Sequence, residues 1–318
     1  MDLDARDRKL VCLLDQDARR PLSHLAKQLH ISKQAARQRI LKMRAAGIIS
    51  SPYALINMLA LGQVRGRLWI RLQMAGPGVE KEMLEFARQQ KNTGSAASLT
   101  GAYDFLVTYW SRSITDFKAS ADEFLYRFSG CVKEHDVSFI TCGHEFSVRS
   151  LAPEVRSAES LAKETGQVEL DGTDRKVLAV LAQDAGLSAL EIGNITGIGP
   201  KTVYYRMRRL EERRVILGYR LGINYRKMGY AQYKFFLTFS NPDAKKLRKV
   251  FAYLKEIPEL VSITESVGPA DLEFDIAVPS ANRMQEILVG FRNGFAGLIR
   301  DYKYAETMEA SAIRYIPD

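Results

Sequence analysis

Two short stretches of this chain carry side chains suited to reading duplex DNA. The first holds Lys33, Gln34, Arg37, Gln38, Arg39 and Lys42. The second holds Lys201, Thr202, Tyr204, Tyr205, Arg206, Arg208 and Arg209. A glutamine amide pairs bidentately with adenine, and an arginine or lysine donates to the acceptors of guanine. Farther along each stretch, Arg39, Lys42 and Arg44, and then Arg206 and Arg209, suit phosphate oxygens. Apolar residues recur at i, i+4 and i+7 in both: Ala36, Ile40, Met43 and Val203, Met207, Leu210. Each stretch is therefore expected to be one helix with a buried stripe and a polar face. A helix of this kind enters the major groove with its N-terminal residues at the base edges.

Such a helix needs others to hold it. Asp4 precedes the run Leu10, Leu13, Leu14 and suits an N-cap, with Asp7 three residues on; Asp171 and Asp174 repeat the arrangement. Ser188-Ala189-Leu190-Glu191 is a capping box opening a second helix. The first stretch has Pro21 at that place, which a helix start tolerates. Short turns follow, Leu29-His30-Ile31 and Thr196-Gly197-Ile198, before third helices that begin at Ser32 and at Gly199-Pro200. This is the order of a helix-turn-helix. Gly47-Ile48-Ile49 and Arg214-Val215-Ile216-Leu217-Gly218-Tyr219 predict a short β-wing after each.

The two stretches belong to one internal repeat. Leu3-Asp4-Ala5-Arg6-Asp7-Arg8-Lys9 returns as Leu170-Asp171-Gly172-Thr173-Asp174-Arg175-Lys176, an offset of 167. The same offset relates Gln16-Asp17-Ala18 to Gln183-Asp184-Ala185, Arg39 to Arg206, Gly62 to Gly229, and Gly101 and Asp104 to Gly268 and Asp271. The 318 residues are a tandem duplication of a domain-sized, two-part unit. The net charge of +9 is segregated within it. Residues 1–50 hold 11 Lys/Arg and 5 Asp/Glu, residues 170–220 hold 9 and 6, and the rest is neutral. A nucleic-acid-binding surface accounts for that segregation and a merely solvated one does not.

The neutral second parts read as β-α-β-β-α-β. In the first copy Leu68–Leu72, a helix around Met83, Leu84 and Ala87, the run Ser98–Tyr109, a helix from Phe117 to Phe128, and a strand near Val137–Thr141 supply it. In the second copy the segments are 233–239, 244–254, 261–267, 271–278, 283–291 and 302–308. This is the order of a ferredoxin-like sandwich, whose open sheet edges favour pairing. Glu273 and Asp275 alternate with Leu272, Phe274 and Ile276, placing them on a solvent face or a partner interface, with binding of an ammonium group as the alternative. The fold class is α+β: helix-turn-helix (1–60), sandwich (61–150), linker (151–169, partly helical), helix-turn-helix (170–226) and sandwich (227–318).

The segments Pro200-Lys201-Thr202-Val203-Tyr204-Tyr205-Arg206-Met207-Arg208-Arg209-Leu210-Glu211 and Val215-Ile216-Leu217-Gly218-Tyr219, with the repeated Leu-Asp-x-x-Asp-Arg-Lys, resemble the Lrp/AsnC transcription regulators. The resemblance covers nearly the whole chain, twice. It implies winged helix-turn-helix domains that bind double-stranded DNA and small-molecule-responsive αβ sandwiches through which subunits pair. The first copy departs from the pattern at Pro21 and at Ser50-Ser51-Pro52-Tyr53, where the usual Gly-Tyr is missing. The family's effector turn maps to Thr100, Gly101 and Asp104 and to Val267, Gly268 and Asp271, where a plain β-turn is the alternative. Two fused units imply a built-in pseudo-dimer or a homo-oligomer, with an effector such as an amino acid. The siroheme decarboxylases resemble the same family and include fused two-unit chains. Their histidine-containing segment falls here on residues 95–101 and 263–268, which hold no histidine.

Other chemistry is weakly represented. Cys131, His135, Cys142 and His144 lie within fourteen residues, but their spacing matches no zinc finger, and the second copy has Leu298, Tyr302, Glu309 and Ser311 instead. No metal or cofactor is expected. Three cysteines and a charged N-terminus predict reduced thiols in a cytoplasmic, nucleoid-associated protein with no membrane span.

Overall fold

In chain order the elements are α1 (Ala5–Gln16), α2 (Leu22–Leu29), α3 (Lys33–Ala45), β1 (Ile49–Ile56), β2 (Val64–Leu72), α4 (Val79–Gln89), β3 (Thr93–Gly101), β4 (Phe105–Ser111), α5 (Ile114–Arg127), β5 (Val132–Phe146) and β6 (Glu159–Lys163), then α6 (Gly172–Gln183), α7 (Ala189–Thr196), α8 (Pro200–Glu212), β7 (Ile216–Ile223), β8 (Ala231–Phe239), α9 (Ala244–Glu256), β9 (Leu260–Val267), β10 (Leu272–Val278), α10 (Ala281–Phe295) and β11 (Ile299–Ala310). The computed structural model describes residues 2–73, 76, 78–147, 149–155, 158–163, 166–311 and 314–315. The chain divides into two units that sort the copies by kind. One combines residues 1–61 with 146–229, and the other combines 62–145 with 230–318.

In the helical unit the caps act as their residue types require. The Asp4 carboxylate accepts from the Asp7 backbone N–H at 2.8 Å, and the Asp7 carboxylate accepts from the Asp4 N–H, closing a capping box. Ser188 and Glu191 close another at α7, while Pro21 offers α2 no side-chain cap. Ser32 caps α3 through the Ala35 N–H, and Gly199-Pro200 opens α8. Leu10, Leu25, Ala36, Met43 and Ile48 are fully buried in the first copy, and Val177, Leu178, Leu181, Val203 and Leu210 in the second.

The strands after α3 and α8 depart from the expected wings. Neither folds back on itself. β1 and β7 pair antiparallel with each other, from Ile49↔Ile223 to Ile56↔Ile216. A lone two-stranded wing has little to bury, whereas pairing across copies covers the apolar face of both strands. The exchange is pseudo-symmetric. Ala18 N–H donates to Tyr219 O, and Ala185 N–H donates to Pro52 O, positions related by the repeat offset. Pro52 thus serves as an acceptor on β1, a task that needs no N–H. Residues 151–169 also differ from expectation. They include strand β6 and no helix among the described residues; Ser157 lies outside them.

In the sandwich unit each copy has the ferredoxin strand order, β5-β2-β4-β3 and β11-β8-β10-β9. Strand β3 then pairs with β11, and β9 with β5, so eight antiparallel strands close on themselves. β5 and β11 are long because each serves two neighbours. The first half of β5 pairs with β2 and its second half with β9. Closure removes the open edges that a sandwich would otherwise expose. The helices α4 and α5 cover one outer face over Leu68, Ile70, Phe105, Val107 and Tyr109. Inside, Trp69, Tyr103 and Phe236 meet with ring centroids 4.9–5.3 Å apart.

Glu273 and Asp275 are buried in this interior, contrary to the expected solvent face. Glu273 pairs with Arg67, and Lys234 reaches Asp275 at 2.6 Å and Glu273 at 3.6 Å. Ser262 donates to Asp275 at 2.6 Å. Both carboxylates are thus engaged by the chain's own Arg67 and Lys234.

Candidate nucleic-acid interface

Helices α3 and α8 each bury one stripe and expose the rest. Lys33, Gln34, Arg37, Gln38, Lys42 and Arg44 are exposed on α3, as are Lys201, Thr202, Tyr204, Tyr205 and Arg208 on α8. Arg209 is half-buried. Tyr204 and Tyr205 are about 60% exposed, unusual for aromatics with no partner to cover them. Tyr204 and Arg208 also line a cleft of about 680 Å³ with Gln16, Arg19 and Tyr219. There the Arg19 guanidinium lies over the Tyr219 ring at 5.2 Å and donates to Leu187 O at 2.9 Å.

Two of the residues expected at phosphates have another task. Arg39 donates to Asp7 at 2.7 Å and to Asp4 at 2.8 Å, and Arg206 donates to Asp171 and, at 3.1 Å, to Asp174. Each arginine ties the recognition helix to the N-terminal cap of the first helix. Asp7 and Asp174 are almost wholly buried, so their charge requires this partner. The backbone N–H groups of Asp7 and Asp174, aided by the arginines, hold the Asp4 and Asp171 carboxyls below their ordinary range. Arg39 and Arg206 therefore help to position the helix, a task the phosphate expectation did not include.

The two copies are not equivalent. The Asp15 carboxylate takes both arms of Arg220, at 2.8 and 3.0 Å, and this pair joins the first copy to the second. The offset positions, Ala182 and Tyr53, cannot repeat it. Sequence reading missed Asp15, Arg19 and Arg220, because partners some 200 residues apart leave no local signal.

The expected effector turns lie in the sandwich unit, at its two seams. The Asp104 carboxylate accepts from the Leu72 N–H and that of Asp271 from the Phe239 N–H, both at 2.8 Å. A Cβ on Gly101, whose φ is +131°, would stand 2.6 Å from Tyr304 O; one on Gly268 would stand 2.5 Å from Ser138 Cβ. Both glycines admit the opposite copy's strand. Thr100 and Val267 are exposed beside them.

Comparison with known proteins agrees with this architecture. An AsnC-type helix-turn-helix domain matches residues 3–44, and a winged helix-turn-helix DNA-binding domain matches residues 170–216. The HTH-type transcriptional regulator FL11 of Pyrococcus horikoshii is 30% identical over 122 residues, 38% of this chain and 80% of that protein. The regulator Ptr1 of Methanocaldococcus jannaschii is 32% identical over 102 residues, 32% of this chain and 68% of that one. Among solved structures, the siroheme decarboxylase NirDL superposes with a TM-score of 0.64, covering 99% of this chain and 94% of its own, at 11% identity. That likeness shows a shared two-unit fold. With its duplicated helix-turn-helix and paired sandwiches, the chain belongs to the Lrp/AsnC family of transcriptional regulators.

Proposed function

We propose that this protein is a sequence-specific DNA-binding transcription regulator that carries both recognition helices of a dimer in one polypeptide. The observation that carries the reading is the β1–β7 pairing, which joins two helix-turn-helix domains while leaving the polar faces of α3 and α8 exposed. Lys33, Gln34, Arg37 and Gln38 read one half-site, and Lys201, Thr202, Tyr204, Tyr205 and Arg208 read the other. Lys42, Arg44 and Arg209 contact phosphates. The half-sites lie about one helical turn apart, roughly 34 Å. Because the two helices differ, the operator is asymmetric.

A small-molecule effector, an amino acid in this reading, acts at the seams near Thr100, Gly101 and Asp104 and near Val267, Gly268 and Asp271. It modulates DNA binding by favouring one arrangement of the chain over another. The protein works in the cytoplasm, on nucleoid DNA; among the described residues no helix is long and apolar enough to cross a membrane. Selection of duplex DNA by the purified chain, titrated across salt, tests the reading. Enrichment of a bipartite, asymmetric site with a steep salt slope is the expected result. Weak binding without enrichment would overturn it.

A second reading, a tetrapyrrole enzyme on the same scaffold, draws on the whole-chain likeness to NirDL. Against it, residues 95–101 and 263–268 hold no histidine, and Trp69, Tyr103, Phe236 and the Arg67–Glu273 pair occupy the space between the sheets. Absorbance titration with an iron tetrapyrrole distinguishes the two.

A further inference from the structure

We propose that Cys142, His144 and Glu265 form a binding site for one divalent transition-metal ion of the zinc or cobalt class, built where β5 of the first copy meets β9 of the second. Cys142 and Glu265 are register partners across this seam, and His144 follows two residues along the same strand. All three side chains therefore lie on one face of the sheet. Cys142 Sγ is 3.6 Å from His144 Nε2, His144 Nε2 is 3.6 Å from a Glu265 oxygen, and all three ligand atoms lie within 4.8 Å of one another.

The two 3.6 Å separations match the edges of a coordination tetrahedron. Zinc bonds of about 2.3 Å to sulfur and about 2.1 Å to nitrogen or oxygen give edges of roughly 3.4–3.6 Å. The imidazole is held in place. Its ring packs edge-on to Phe251 at 5.4 Å and is largely buried, while Glu265 is about half exposed. Cys142 is a free thiol. All three residues are intermediate in burial, which leaves a fourth position for water.

A hydrogen-bonded relay explains the geometry less well. In a nucleophile–base–carboxylate relay the acid holds the imidazole by the nitrogen opposite the thiol. Here the thiol and the carboxylate converge on the same Nε2. One nitrogen carries at most one proton and cannot donate to both groups, whereas a shared cation is bound by all three at once.

The fold does not require these residues. At the pseudo-symmetric seam the equivalent positions are Glu309, Ser311 and Ser98, and Glu309 pairs with Ser98 in the same register. That seam closes without thiol or imidazole. Among the described residues no second group of three potential ligands converges in this way. Because its ligands come from both copies, a bound ion clamps this seam.

The test is titration of the metal-stripped full-length chain with Co²⁺, followed by displacement with Zn²⁺. The expected result is one Co²⁺ per chain, with a thiolate-to-cobalt charge-transfer band and a melting temperature that rises with metal. Cys142→Ser should abolish the band, and His144→Ala and Glu265→Gln should each weaken binding by more than about tenfold. Cys131→Ser should change nothing. Melting in chelator, unaltered for Glu265→Gln, separates lost ligation from lost folding. No charge-transfer band, or Co²⁺ binding that Cys142→Ser leaves intact, would overturn the proposal.

Discussion

Arg39 and Arg206 show that a basic side chain on a recognition helix can be held by carboxylates of its own domain. Their guanidiniums are engaged by the caps of the first helices, whereas Arg37, Lys42 and Arg209 have no such carboxylate cluster beside them among the described contacts. Arg206→Ala should lower the melting temperature by a few degrees, and Arg209→Ala should leave melting unchanged while flattening the salt dependence of DNA binding. Paired melting and binding titrations separate the two roles. The same caps set a pH dependence. Backbone N–H donors lower the Asp4, Asp171 and Glu191 carboxyls, so their contribution is complete above the ordinary carboxylate pKa near 4. It is lost as pH falls through the lowered values. A double variant, Asp4→Asn with Asp171→Asn, should be less stable at neutral pH and show a shallower acid limb in melting against pH. Burial, with Asp15 and Glu154 near, pushes the Cys12 thiol up to about 12, which keeps it un-ionised at neutral pH.

At the scale of elements, the turns between helices reveal where the first copy has drifted. His30 caps α2 with φ +52°, a left-handed conformation that Gly197 supplies in the second copy. His30→Gly should stabilise the helical unit by about 0.5 kcal/mol, the relief of strain less the extra freedom of the unfolded glycine. Denaturant titration of the full chain measures it. The seams respond in the opposite sense. Gly101→Ala or Gly268→Ala drives a methyl into the opposing strand and should destabilise the sandwich unit by about 1–3 kcal/mol. Breaking the buried network has a larger effect. Glu273→Ala removes the carboxylate paired with the buried Arg67 and leaves Lys234 with Asp275, and should be destabilising by about 3–5 kcal/mol in the same titration.

For the whole molecule, the two copies are complementary rather than interchangeable. The first contributes Arg67 to the interior between the sheets, with Leu106 and Thr108 at the positions where the second has Glu273 and Asp275. Pairing of two second copies would bring four carboxylates against two lysines; pairing of two first copies would bring arginines with no acid. Asp15 and Arg220 bias the helical unit in the same direction. Because β1 needs β7, residues 1–61 alone should show no cooperative melt, and adding residues 146–229 should restore one. A cooperative melt of the first piece by itself would show that the strand exchange is dispensable. In DNA selection, Gln34→Ala or Arg37→Ala should relax base preference at one half-site only, by about 1–3 kcal/mol if a bidentate pair is lost.

The sequence by itself determined the duplication, the helix-turn-helix units with their caps, the βαββαβ order of both sandwiches and the segregation of basic charge. These are local patterns: capping residues, helical periodicity, strand alternation and an offset that recurs. Tertiary structure alone decided that β1 takes β7 as its partner and that the sheets close into a ring. It also decided that Glu273 meets Lys234 and Arg67, and that Glu265 arrives beside Cys142 and His144 from more than a hundred residues away. Local patterns show which strand edges and charges need a partner. Which partner satisfies them depends on the register between strands remote in sequence, and only the folded chain fixes that register.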